Sequence, residues 1–258
     1  MSGLGLTKRA KFDCSQFVES ISRSAVFLSK FLARLRLKNG KIYDIIRYRQ
    51  IGIYGGKYEM KIYDISQEVF GCQVYAGDPV PEKKLLCSMQ KGSLYNLTAF
   101  SMCAHNGTHI DAPFHFIKDG KTVDSIDLDT FVGMAYVAEY HGIVSDIAAA
   151  EILEKARKQN TEAAKRILIK GEAEISAQAA KVFADSGILL LGNESQTVGP
   201  EAAPMEVHLI LLRADVVLLE GIRLAEVSEG AYFLNAAPLN LSGADGSPCR
   251  AVLIADER

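Results

Sequence analysis

Apolar and polar positions repeat with two different periods along this chain, and the change of period divides it. Between residues 60 and 145 the apolar residues fall in short runs with a two-residue period. "KIYDISQEV" from Lys61 reads as a strand followed by a polar turn, and "VYAGDPVPEKK" from Val74 as a Gly/Pro loop. "NLTAFSMCAH" alternates as a strand and runs directly into a histidine-rich stretch, and "MAYVAEY" from Met134 is another strand. From Ser145 a helical period takes over. "SDIAAAEILEKARKQN" has Ser145 or Asp146 as cap and a body of alanine, leucine and lysine. Beyond it come a buried strand "RILIKG", a helix "SAQAAKVFADSG" closing on Gly187, and a buried strand "ILLLGN". A helix around His208, a strand "VVLLEGI", and strands in "GAYFLNAAPLNL" and "CRAVLIAD" complete the chain. Strands dominate first and alternate with helices later. The expectation is a single α/β domain with a mixed sheet or barrel-like core flanked by helices. No internal repeat or Gly-rich phosphate loop interrupts the pattern.

Composition narrows the class. The chain has 258 residues, 48% of them hydrophobic, enough to bury a core without a disulfide or structural metal. Its five cysteines, Cys14, Cys72, Cys87, Cys103 and Cys249, are odd in number, scattered and without a CxxC pair. That is the usage of a reducing, cytoplasmic protein rather than of a disulfide framework. No run of about 18 apolar residues predicts a spanning helix.

The net charge of −2 conceals a split. Residues 1–59 hold 12 of the 29 Lys and Arg but only 4 of the 31 Asp and Glu, and they contain no histidine or proline. Within them "SRSAVFLSKFLARLRLK" (Ser22 to Lys38) has helical periodicity, with Val26, Phe27, Phe31, Leu32 and Leu35 able to share a face. Three readings compete: a membrane-surface helix or basic arm, a targeting segment, or a stretch that is no part of the working protein. The third is favoured. Gly55-Gly56-Lys57 can be encoded as a bacterial ribosome-binding sequence suitably placed before a start codon for Met60. The expected division is therefore 1–59 as an extension that the native protein lacks and 60–258 as the working domain.

Candidate chemistry concentrates in "HNGTHIDAPFH". Three of the chain's five histidines lie in these eleven residues, with an aspartate two positions after the middle one. Gly107, the β-branched Thr108 and Pro113 argue against a helix here. In an extended segment His109 and Asp111 point the same way, and a turn at Asn106-Gly107 swings His105 back beside them. Two imidazoles and a carboxylate suit zinc and manganese better than calcium or magnesium.

The stretch matches the H-x-G-T-H-x-D-x-P-x-H signature of the cyclase family, which includes bacterial kynurenine formamidases and isatin hydrolases. The resemblance extends to "YDISQEV" with "VYAGDP", to "VHLILLRADVVLLEGI" and to "PLNLSGADGSPCRAVL", so it covers Met60 to Arg258. It implies two divalent metal ions, zinc first and manganese second. His105, His109 and Asp111 would hold one, with Asp111 bridging to a second held by His208 and Glu220, twelve positions apart. An unpaired carboxylate at the end of an apolar strand would be costly, which a metal at Glu220 would explain. His115 resembles the family's general acid/base, and its ordinary pKa of about 6.5 lets it move a proton either way.

The implied activity is hydrolysis of a small-molecule amide by metal-activated water, foremost N-formylkynurenine to kynurenine and formate. The implied assembly is a homodimer or homotetramer, with neither nucleic acid nor membrane as partner. Kynurenine formamidases carry a tryptophan in the loop written here "VYAGDP". This chain has no tryptophan, and Tyr75 takes that place as the expected substrate contact. "LLGNESQTVGP" also departs from the family, with Asn193-Glu194 and Gly199 in place of aspartates. A hydrolase of another small cyclic amide and a non-catalytic metal-binding partner protein are the alternatives. Cys103 is expected to be a packed core thiol, and His141 to be structural or exposed.

The division at Met60 is open to direct measurement. Mass spectrometry of the protein from its native source should yield peptides from residue 60 onward, whereas peptides between Ala25 and Tyr54 would refute the late start.

Overall fold

The computed structural model describes residues 59–257. The helix expected over Ser22 to Lys38 and the boundary at Met60 lie outside or at the edge of the described residues. Within them the elements are strands β1 (Glu59–Asp64), β2 (Glu82–Cys87), β3 (Leu97–Ser101), β4 (His109–Asp111), β5 (Val132–Glu139) and β6 (Gly142–Val144), then helix α1 (Asp146–Gln159). Next come β7 (Arg166–Lys170), β8 (Ala173–Ile175), α2 (Ala177–Asp185), β9 (Leu190–Asn193), α3 (Met205–Arg213) and β10 (Val217–Glu220). β11 (Gly230–Asn235), β12 (Gly246–Pro248) and β13 (Val252–Glu257) close the chain.

One nine-stranded sheet, ordered β1-β13-β11-β5-β7-β9-β10-β4-β12, organises the domain. Its centre is parallel: β5, β7, β9 and β10 pair in the same direction. Antiparallel wings flank it, with β1, β13 and β11 on one side and β4 and β12 on the other. Parallel neighbours need crossovers, and α1, α2 and α3 supply them. Ser145 and Ser176 start α1 and α2 by accepting hydrogen bonds from the amides of Ala148 and Ala179.

The central strands are buried on both faces, and the two-residue period sorts their side chains into two cores. Tyr136, Ala138, Ile167, Ile169, Leu191 and Leu218 pack under the helices with Ile152, Leu153, Phe183 and Leu211. Ala135, Val137, Leu168, Leu190, Val217 and Leu219 face the other way with Ile65, Ile110 and Phe131. This sorting aims the chemistry. Ile110 belongs to the second core, so its neighbours His109 and Asp111 project to the helix side. Glu220, two residues after Leu218, projects there too.

The mixed sheet flanked by helices agrees with the sequence reading, with local corrections. β2 occupies the end of what reads as a Gly/Pro loop, because it pairs with β3 in a separate two-stranded hairpin. β3 ends at Ser101 instead of running into the histidines, and the chain turns before β4. The strand in "GAYFLNAAPLNL" stops at Asn235. Cys103 is half-buried rather than a core thiol, with Sγ 3.7 Å from an Asp78 carboxylate oxygen. His141 is exposed, as expected.

Candidate metal centre

β4 lies between β10 and β12, and the register of those pairings assembles the site. Glu220 is directly opposite His109, and Leu218 opposite Asp111. From the helix layer α3 contributes His208, buried to 2% exposure between the core residues Val207 and Leu211. His105 arrives through the tight turn before β4. Gly107 has φ +67° there, and a Cβ on it would stand 2.9 Å from Cys72 Cβ, so glycine is required on both counts.

Asp111 is the hub. Its Oδ1 lies 2.8 Å from His105 Nδ1 and 3.3 Å from His109 Nε2, while Oδ2 lies 3.5 Å from His208 Nε2. Glu220 Oε1 is 3.2 Å from His208 Nε2, and Oε2 is 3.5 Å from His109 Nε2. Three compact donor sets result among the described residues: His105/His109/Asp111 and Asp111/His208/Glu220, which share Asp111, and the more exposed His105/His115/Asp245. Glu220 is further held by the Val198 amide, which donates to Oε1 at 2.7 Å.

The donor chemistry fits a divalent metal. His109 donates Nδ1–H to the Gly107 carbonyl at 3.0 Å, and His208 donates Nδ1–H to the Pro204 carbonyl at 2.9 Å. Both rings therefore present Nε2 to the carboxylates. Nitrogen lone pairs facing buried anions repel unless a cation or protons lie between them. Without metal the protons do this work. Burial opposes charge on His208, but hydrogen bonds with Asp111 and Glu220 outweigh it and push its pKa up to about 10. His109 is raised well above its ordinary value against the same burial and by the same two carboxylates. Burial likewise opposes charge on Asp111, which the imidazoles of His105, His109 and His208 nevertheless hold well below the usual carboxylate range.

His115 stands beside this cage, about a quarter exposed, on the 3-10 turn Pro113–His115. Its ring centroid is 3.9 Å from that of His105, and burial holds its pKa below the ordinary value, so the ring is neutral at pH 7. The Phe116 ring lies 4.5 Å from His115 and 4.8 Å from His208, forming an apolar wall. Tyr75 is set apart from this cluster. Its hydroxyl donates to the Glu201 carbonyl at 3.0 Å, on a loop joined to the motif where Gly107 N–H donates to the Gln73 carbonyl. Asn193 and Glu194 brace the loop between β9 and α3. Asn193 Nδ2 donates to the Thr197 carbonyl, and the Glu194 carboxylate accepts from the amides of Gly171 and Leu224.

One neighbour was not singled out by its sequence. Asp245 places Oδ2 2.9 Å from His105 Nε2 and 3.3 Å from His115 Nδ1. Its stretch, "PLNLSGADGSPCRAVL", resembles the family, but nothing in it announces a contact with residues more than a hundred positions away.

Fold and site together define an α/β protein with a buried cluster of histidines and carboxylates suited to metal, beside a histidine about a quarter exposed. Known proteins agree. The family model for a putative cyclase matches residues 59–200. A kynurenine formamidase of Erythrobacter litoralis is 31% identical over 211 residues, covering 76% of this chain and 95% of that protein. One of Bacillus anthracis is 33% identical over 204 residues, covering 74% and 95%. A solved structure described as a potential metal-dependent hydrolase with cyclase activity superposes with a TM-score of 0.64 at 27% identity, over 78% of this chain and all of the other. Isatin hydrolase A from Labrenzia aggregata shares the fold at 18% identity, with a TM-score of 0.65 over 84% of this chain and all of the other. The chain belongs to the cyclase family.

Metal must displace the protons on His109 and His208. Loading at neutral pH should release protons, and affinity should rise with pH. Titration calorimetry with zinc in buffers of different protonation enthalpy checks this, and a buffer-independent heat would contradict it. In the metal-free protein the same pairs stabilise the fold fully below the ordinary histidine pKa. For His208 that contribution is lost as pH rises through about 10.

Proposed function

We propose that the chain is a metal-dependent kynurenine formamidase, hydrolysing N-formylkynurenine to kynurenine and formate. The observation that carries this reading is the pair of buried carboxylates, Asp111 and Glu220, caged by three imidazoles and opening on His115. Identity of 31% and 33% to proteins named kynurenine formamidase, over 95% of their length, supports the substrate. Two divalent ions are proposed, zinc foremost and manganese second. His105, His109 and Asp111 would hold one, and Asp111, His208 and Glu220 the other. The two oxygens of Asp111, turned toward different histidines, support a shared ligand. When bound, the ions would polarise the formyl carbonyl and lower the pKa of water.

The chain's own residues supply the rest. His115 is neutral at pH 7, so it can accept a proton and return it to the leaving aniline nitrogen. With Nδ1 engaged by Asp245, Nε2 is the atom that moves the proton. Phe116 shields the histidines on one side, and Tyr75 is proposed to stack on the aromatic ring of the substrate. Tyrosine in the family's tryptophan position changes the pocket, which keeps a second reading, an isatin-like cyclic amide as substrate. No helix among the described residues is long and apolar enough to cross a membrane.

The chain is further proposed to assemble as a homodimer. The β2–β3 hairpin leaves Leu94 at 94% exposure, Phe100 at 60% and Leu85 at 54%. A two-stranded hairpin with an uncovered apolar surface is marginal alone, and a second copy would cover it. Sedimentation should give twice the 28.1 kDa chain mass, and substituting lysine for Leu85 and Leu94 should shift it toward monomer. A monomeric parent protein would refute this.

Zinc- or manganese-loaded protein should hydrolyse N-formylkynurenine and lose that activity to a chelator. His115→Ala should lower turnover by about 10²- to 10⁴-fold with metal content unchanged. A metal-replete protein inert on N-formylkynurenine but active on isatin would replace the first reading with the second. Equal loss of metal and activity in His115→Ala would remove the role given to that residue.

A further inference from the structure

Asp245 lies outside both donor sets that share Asp111, yet it touches one member of them and the histidine beside them. A single oxygen, Oδ2, faces His105 Nε2 at 2.9 Å and His115 Nδ1 at 3.3 Å. A carboxylate oxygen only accepts, so each ring must donate an N–H to it. The consequences differ for the two rings. His105 faces a carboxylate from each nitrogen, so without metal it carries hydrogen on both; a metal taking up Nδ1, the atom 2.8 Å from Asp111 Oδ1, would leave the Nε2 hydrogen held by Asp245. His115 with hydrogen on Nδ1 is left with a bare Nε2, for which no protein hydrogen bond is found among the described residues. His109 and His208 are fixed the opposite way from His105, through Nδ1–H to backbone carbonyls.

The backbone makes this placement rigid. β12 pairs with β4 so that Gly246 lies opposite Asp111, which puts Asp245 just beyond the end of that ladder. The Ala112 amide donates to the Asp245 carbonyl at 2.9 Å and fixes its peptide. Gly246 lets the imidazole come close: a Cβ there would stand 2.6 Å from His105 Cε1 and 2.6 Å from the Ile110 carbonyl oxygen. Asp245 remains 43% exposed, so its carboxylate is placed by backbone register and by the two rings rather than by core packing.

We infer that Asp245 is a positioning residue that sets the tautomers of His105 and His115 together, turning Nδ1 of the first toward the metal centre and Nε2 of the second toward the substrate. It acts through both histidines and itself moves no proton. This rests on the assignment of His115 as proton carrier, so the test includes a readout that needs no substrate.

Histidine nitrogen NMR on the full-length zinc-loaded protein reads each tautomer, with His115 assigned by its absence in His115→Ala. The wild type should show His115 protonated on Nδ1 and His105 on Nε2, and a wild-type His115 protonated on Nε2 overturns the inference at once. In Asp245→Ala the His115 signals should move toward a mixture of tautomers. With that change kcat should fall roughly 10- to 100-fold while KM stays within about twofold. Asp245→Glu, which restores a carboxylate, should recover the Nδ1–H form and part of kcat. An Asp245→Ala spectrum identical to wild type would overturn the inference whatever the activity. Absence of N-formylkynurenine turnover in the wild type would sink the substrate reading and leave the tautomer result to stand or fall on its own.

Discussion

Two carboxylates buried within hydrogen-bond reach of the same imidazoles are the constraint on which this structure turns. Asp111 is 1% exposed and Glu220 2%. Neither charge is tolerable in an apolar layer without compensation, since an unpaired buried carboxylate costs several kcal/mol even after relaxation. Three histidines surround them, and backbone groups fix the rings of His109 and His208 so that Nε2 faces inward. The site is thus a cage for positive charge, filled by protons in the metal-free chain and suited to divalent metal. Removing one imidazole would leave an anion without its partner, and removing one carboxylate would leave the rings without reason to converge.

The sheet exists in the form it does to bring that cage together. A parallel centre stacks β5, β7, β9 and β10 into a layer apolar on both faces. The chain then reverses, and β4 and β12 continue the layer as an antiparallel wing. At that change of direction Glu220, the last residue of a buried strand, meets the first residue of a strand from another part of the chain. α3 crosses above with His208. Chemistry therefore collects at the ends of strands, where polar groups escape the core while remaining shielded from water.

Much of this was legible in the sequence. The His105 to His115 stretch pointed to a clustered set of donor side chains outside any α-helix, and its core, His109 to Asp111, is a strand whose two-residue spacing puts both side chains on one side. The helix at Ser145 followed from its cap and composition, the one closing on Gly187 and the one around His208 were also expected, and the mixed sheet followed from the order of elements. The illegible parts depend on partners distant in sequence. β2 reads as loop because its residues carry no alternation of a buried face, and pairing with β3 alone makes it a strand. Cys103 looks like a core residue until the turn after Ser101 carries it to a half-exposed position beside Asp78. Asn193 and Glu194 read as departures from the family's usual aspartates, and their side chains brace a loop through backbone groups.

Residue chemistry and local period are properties of short stretches, so the sequence by itself determined which side chains have the donor chemistry for a metal or a proton and where most of the helices and strands lie. Only the tertiary structure decided which nitrogen of each histidine faces which oxygen. His105 and Asp245 are 140 positions apart, and His208 meets Asp111 across nearly a hundred. Those contacts are set by strand register and by helix packing on the sheet. A slip of one residue in β4 would turn His109 and Asp111 into the opposite core. No local pattern encodes that register; the burial of both sheet faces enforces it.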